Sequence, residues 1–360
     1  MKKGFFILSL SILALASCSS DDDGASYVPP VSEAVVEAST GGPNQQNQLY
    51  VDLSTSTKTP IARESWDLGF SSGAAFRVAI NGSLKMAVKQ LNTTNIDEVQ
   101  TEDASVSVGF STLASLGYVD NPTGILEGSG AGIGTAIAEI AANDADNKVY
   151  LVNLGFKAGT TTPNLGAVAT DGDPRGWKKI RITRSGNNYV LQYADLDAIT
   201  HTTVTISKNT AYHFTFFSLV SGQEVTAQPE KNKWDLNFTT FTNYFPYSGA
   251  DVTYGYADFI TTNVNGGTTA YEVLIADITF EAFTLTSVEE SSFITSASDQ
   301  RVIGSNWRSG GGPSSLPSIR DDRFYVLKDV DGNIYKLRFL ALTNDAGERG
   351  FPVFEYEILN

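Results

Sequence analysis

Few side chains in this chain could ligate a transition metal. There are two histidines, His201 and His213, and one methionine beyond the initiator, Met86. No cluster of His, Cys, Asp and Glu has the spacing of a metal hydrolase centre, and no Gly-x-Ser-x-Gly elbow offers a nucleophilic serine. "GGGPSS" lacks the Gly-Lys-Ser/Thr of a phosphate loop. "DVDGN" at 329–333 and "DGD" at 171–173 look like pieces of a calcium loop. Leu340 stands where a loop starting at Asp329 needs a bidentate Glu, so both stretches read as hairpin turns. The expectation is a protein that is not an enzyme and has no protein-bound metal site.

Contact chemistry is the other possibility. "TNYFPYSGADVTYGYADF" at 242–259 carries Tyr244, Phe245, Tyr247, Tyr254 and Tyr256. Such rings offer an apolar body and a polar tip, which suits a binding surface. They could equally fill the core of their own hairpin.

The elements that position these residues are β-strands. Of 360 residues, 41% are hydrophobic, 11% aromatic and only 18% charged. Abundant Thr, Tyr, Phe and Gly favour strands and turns over helices. The formal net charge of −15 repels phosphate backbones, so no nucleic-acid partner is expected.

The N-terminus reads as a targeting segment. Lys2 and Lys3 precede an apolar run, "FFILSLSILALA", too short to span a bilayer well. It ends in "LASC", where Cys18 is the only cysteine. This is the form of a bacterial lipoprotein signal, residues 1–17, with Cys18 as the lipidation site and 18–44 as a flexible tether. With no other cysteine, the mature chain has no disulfides, and its membrane contact is a lipid anchor.

The rest reads as one unit written twice. "SWDLGF" at 65–70 returns as "KWDLNF" at 233–238. Tyr50, Val51 and Leu53 before the first play the part of Phe214, Phe216 and Leu219 before the second. Later, Lys179-Ile180-Arg181-Ile182 matches Lys336-Leu337-Arg338-Phe339, each followed by a strand with a tyrosine near its end, Tyr193 or Tyr356. The copies are expected at 45–200 and 201–360. "KKIRITRSGNNYVLQYADL" is a hairpin across Ser-Gly-Asn-Asn. "TTVTISKNTAYHFTFFSL" reads as another, pairing Val204 with Phe214 and Ile206 with Tyr212. Residues 130–143 fit a short helix or a strand. In each Trp-Asp-Leu, Trp and Leu face the core and Asp the other way, a structural role.

The order of aromatic strand, "KWDLNF", "NW" at 306–307, "RFYVLKDVDGNIYKLRF" and "FEYEI" resembles the HmuY-type haem-binding surface lipoproteins of Bacteroidetes. The acidic "SSDDDG" after Cys18 resembles the export signal of such lipoproteins. The resemblance implies an all-β fold, here as two tandem antiparallel β domains, anchored to the outer membrane and exposed at the cell surface. It also implies capture of haem and transfer to a TonB-dependent receptor, with iron clamped between two His or Met side chains, for which His201, His213 and Met86 are the candidate iron ligands. The sequence departs from that pattern in one respect. After Trp307, where the family can place a His before Gly-Pro, stands "RSGGGP", and "NPTGILEGSGAG" in the first half has no ligand either. In the expected hairpin His201 and His213 lie about 13 Å apart, whereas two axial nitrogens on one iron lie about 4 Å apart. The alternative is a surface interaction protein, for glycan, peptide or partner protein, that kept the fold and lost haem ligation.

Overall fold

The structure is a computed structural model that describes residues 29–109, 113–128, 133–311 and 316–360. Cys18 and the signal lie outside the described residues. Those described form antiparallel strands and one short α-helix, α1 (Glu290–Ser296).

An N-terminal arm supplies β1 (Glu33–Glu37), β2 (Asn47–Asp52) and β3 (Thr57–Ala62). The next stretch holds β4 (Leu68–Ser71), β5 (Val78–Ile80), β6 (Ala87–Gln90), β7 (Val149–Asn153), β8 (Phe156–Ala158), β9 (Asp171–Pro174), β10 (Trp177–Ser185) and β11 (Asn188–Asp195). It continues through β12 (Thr202–Ile206), β13 (Phe214–Ser218) and β14 (Gln223–Val225). The last stretch holds β15 (Leu236–Tyr247), β16 (Ala250–Thr262), β17 (Thr269–Leu274), β18 (Arg308–Ser309), β19 (Ser318–Ile319), β20 (Arg323–Lys328), β21 (Ile334–Thr343) and β22 (Arg349–Ile358).

The main sheets come in two matching pairs. The first pair is β12-β11-β10-β7-β6 with β14-β13-β4-β5. The second is β1-β22-β21-β20-β17 with β3-β2-β15-β16. Each pair encloses its own core. Leu68, Phe70, Ile180, Ile182 and Leu191 fill the first. Leu236, Phe238, Leu337, Phe339 and Phe354 fill the second. Strict alternation fixes register, since a one-residue slip would turn these side chains to solvent. Two buried lysines tie loops to the sheets. Lys179 Nζ donates to the carbonyls of Val99 and Ala198, both at 2.6 Å. Lys336 Nζ, the matching residue, donates to Phe280 O at 2.8 Å.

Pairing crosses the expected join at 200/201. Strands β12–β14, beyond residue 200, complete the first sheet pair, and the arm β1–β3 completes the second. The expected hairpin of β12 with β13 does not form. Val204 pairs with Leu191 and Ile206 with Tyr189, while Phe217 pairs with Leu68 in the opposite sheet. The physical reason is burial: Ile206 and Phe217 close one core from two sides, and residues 207–213 carry the chain between the sheets. The match of arms also shifts, because Tyr50 and Val51 stand where Phe216 and Phe217 stand, opposite the residues after Trp-Asp.

Other local readings sort as follows. β10 and β11 form the expected hairpin, closed by Gly186 at φ 61°. The 329–333 turn joins β20 to β21, and Asp329 accepts from Asn333 N at 2.8 Å. Residues 171–173 are not a turn: they are strand β9, paired with β8. Residues 133–143 are neither helix nor strand; 130–132 lie outside the described residues.

Candidate functional site

The three candidate iron ligands lie in three different settings. His201 sits at the outer edge of the first five-stranded sheet, just before β12. Gln192 Nε2 donates to its Nε2 at 3.0 Å, which leaves the ring proton on Nδ1, 2.9 Å from Asp97 Oδ1. Both nitrogens are engaged. His213 precedes β13, and its Nε2 is buried with no hydrogen-bond partner. Burial pushes its pKa down, against the opposing pull of hydrogen bonds from the ring to the Lys231 backbone and the Asn263 side chain, so the neutral ring is favoured. Met86 is fully buried in the first core. The hairpin expected to set the spacing of the histidines is absent: β12 pairs with β11, and β13 with β4 and β14.

The stretch after Trp307 has a different job. The fully buried Trp307 donates from Nε1 to Asp258 O at 3.1 Å, and Arg308 Nε donates to the same carbonyl at 3.3 Å. The Asp258 carboxylate accepts from Gln45 Nε2 at 2.6 Å and from the Arg349 guanidinium. A buried Asp between two arginines locks this loop to the bulged strand β16.

The aromatic stretch forms the outer half of the β15–β16 hairpin. Tyr244 pairs with Thr253, Phe245 with Val252, and Tyr247 with Ala250 at the tip. Tyr254 meets Tyr256 edge-on at 5.0 Å, and Phe245 lies 5.7 Å from Tyr254. Tyr247 is 50% and Tyr254 37% exposed. Burial raises the pKa of the Tyr244 and Tyr256 phenols, which works against a tyrosinate ligand.

A cavity of about 180 Å³ lies elsewhere, between the two sheet pairs. The two Trp-Asp-Leu corners build it. Trp66 meets Phe216 edge-on at 4.8 Å, and Trp234 meets Tyr50 edge-on at 5.0 Å; all four rings line the cavity. Each corner is fixed by an asparagine. Asn81 Nδ2 donates to the carbonyls of Arg63 and Trp66, and Asn263 Nδ2 to those of Lys231 and Trp234. Each Asp then turns inward to cap the neighbouring arm. Asp67 Oδ2 accepts from Leu219 N at 2.6 Å, and Asp235 Oδ2 from Leu53 N at 2.9 Å. These residues are 0% and 4% exposed, which corrects the expectation that they face away from the core. Asp67 and Asp235 precede the strands, so strand alternation does not govern where they point. Their role is structural, as expected.

Among the described lining residues Asp120 is the only Asp, Glu, Lys, Arg or His. Its oxygens accept from Ile80 N at 2.8 Å and Ala136 N at 2.7 Å, and burial pushes its pKa up to about 7. Among the described residues, no group of three or more His, Cys, Asp or Glu is placed to hold a metal ion. No helix among them is long and apolar enough to cross a membrane. Sequence reasoning finds the tryptophans as a repeat but misses them as the wall of a cavity. The signal is the doubling itself, because matched corners in a two-unit chain can face each other.

None of the curated proteins and none of the solved structures compared with the chain matches it. One protein family does: the model of the HmuY protein family matches residues 44–356, across both sheet pairs. The chain belongs to the HmuY family.

Proposed function

We propose that the chain is a non-catalytic binding protein, held at the outer face of the outer membrane through Cys18, that does not clamp haem iron between two side chains. One observation carries this reading. His201 has both nitrogens engaged, the Nε2 of His213 is buried, and Met86 belongs to the core. Iron needs open ligand positions on both faces of a macrocycle. None of the described residues lining the inter-sheet cavity is a Lys or Arg that could pair with propionates. The family match favours a second reading, in which haem is captured and passed to a TonB-dependent receptor. We also read the two sheet pairs as copies of one unit with exchanged arms; matched strand order and matched corners support this.

Hemin titration of the full-length protein, followed by visible absorbance in both iron oxidation states, separates the readings. The expected outcome is no saturable Soret shift. A saturable shift lost in His213→Ala or His201→Ala would restore the haem-carrier reading. The anchor is tested by Cys18→Ser, which should move the protein from the membrane fraction to the soluble one; retention in the membrane would refute lipidation at Cys18.

A further inference from the structure

The cavity between the sheet pairs holds polar atoms that the fold leaves without partners. The Nε1 groups of Trp66 and Trp234, Oε1 of Gln228, Oδ1 of Asn237 and Oγ1 of Thr262 are buried and make no hydrogen bond. All five residues line the cavity, and Trp234, Gln228 and Thr262 are only 7%, 8% and 1% exposed. A buried donor or acceptor left unmade forfeits its hydration with nothing in return. Five around one void is a concentration that a close-packed fold would eliminate unless something fills it.

The two indole N–H donors come from matching positions in the two corners. Side-chain oxygens come from both halves: Asn237 and Thr262 lie in β15 and β16, and Gln228 follows β14. At the positions matching Asn237 and Thr262, the first sheet pair has Gly69 and Ile80, which offer no side-chain hydrogen bond. An occupant therefore meets donors and acceptors from both halves. The remaining wall mixes apolar surface, including the four rings of the corners and Met86, with amides and hydroxyls such as Gln48, Thr240 and Asn265. The volume, about 180 Å³, slightly exceeds an engineered cavity of about 150 Å³ that takes up benzene. With no Lys, Arg or His among the described lining residues, an anionic ligand meets no counter-charge from them.

We infer that this cavity is a binding site for a compact neutral ring molecule, apolar on its faces and carrying both hydrogen-bond acceptors and donors on its edge. The inference rests on reading the chain as a binding protein and adds where the ligand sits and what chemistry it has.

The test uses uracil and D-glucose as probes of that class, with benzene as the apolar control. Each is titrated into the full-length protein by calorimetry and tryptophan fluorescence. The expected result is saturable binding of uracil or D-glucose, tighter than that of benzene. Binding should weaken at least tenfold in the double variant Trp66→Phe, Trp234→Phe, which keeps rings and loses both N–H donors. Thr262→Val, nearly the same shape, supplies a milder variant should the double one not fold. The inference is overturned if neither polar probe binds saturably. It is also overturned if a high-resolution crystal structure grown with both probes shows only ordered waters on the five atoms. Hemin absorbance on the same variants distinguishes the two failures, because a Soret shift refutes the proposed function while leaving the cavity result to stand alone.

Discussion

Asp67 and Asp235 stand at matching corners of the two sheet pairs, and each caps the backbone N–H of a leucine in the adjoining arm. Their surroundings differ. Asp67 faces the buried guanidinium of Arg175, whose Nη2 lies 2.7 Å from Oδ1 with the side chain 4% exposed. Asp235 has no such cation; its second oxygen accepts from Thr268 Oγ1 at 3.0 Å. Burial first, and the nearby Asp52 and Asp329 after it, push the Asp235 pKa up to about 7 against the Leu53 and Thr268 hydrogen bonds. The same corner therefore handles its charge in two ways: an ion pair in the first pair of sheets and a raised proton affinity in the second. The corner geometry demands an acceptor; it does not specify the charge.

That comparison can be broken from either side. The largest effect is expected from Asp67→Asn. It keeps an acceptor for Leu219 N but leaves Arg175 buried and unpaired, at a cost of about 3–5 kcal/mol. Urea unfolding measures it, and a loss under about 1 kcal/mol would show that Arg175 finds other compensation. Next is the pH dependence of Asp235. Between its ordinary value of 3.8 and about 7, the folded carboxyl holds a proton that the unfolded one has released. Its contribution is fully present below that window, falls as pH rises through it, and is gone above it. Each tenfold gain in proton affinity on folding is worth about 1.4 kcal/mol. Asp235→Asn should flatten the decline in stability between pH 4 and 7; the buried Asp120, raised in the same direction, keeps part of the slope. An unchanged slope in the variant would mean that Asp235 does not carry the proton.

The smallest effects sharpen the likeness of the corners. Asn81 and Asn263 each pin two carbonyls and cap a short turn, with Asn81 accepting from Ser83 N and Asn263 from Gly266 N. Replacing either by Ala should cost about 1–2 kcal/mol, by similar amounts at the two sites. Thermal unfolding of the two single variants checks this. A loss confined to one site would mean that the two corners carry unequal loads despite their shared geometry.

Much of the fold is legible in the sequence because it is local. Alternation in "KKIRITRSGNNYVLQYADL" specifies β10, its turn and β11 with no knowledge of neighbours. The 329–333 turn follows from Asp and Gly at fixed offsets. The β12–β13 hairpin is misread for the same reason. Val204 and Ile206 alternate as a hairpin strand does, and alternation cannot say which of several strands will lie alongside. Residues 171–173 look like a turn in composition, but pairing with β8 and the ion pair of Asp171 with Lys85 hold them extended. The candidate site is less legible. His201 and His213 can be named, but Asp97, one of the two partners that occupy His201, comes from a distant part of the chain.

Residue type and short spacing suffice to specify the β class, the β10–β11 hairpin, the doubled Trp-Asp-Leu motif and the shortage of haem ligands. Completion of the C-terminal sheets by the N-terminal arm, burial of both Asp residues, and a tryptophan-walled cavity with unpaired polar atoms emerge only in the folded chain. Those outcomes rest on long-range burial. An arm goes to whichever sheet edge covers the most apolar surface and satisfies its backbone, and that competition is settled only when all the strands are present.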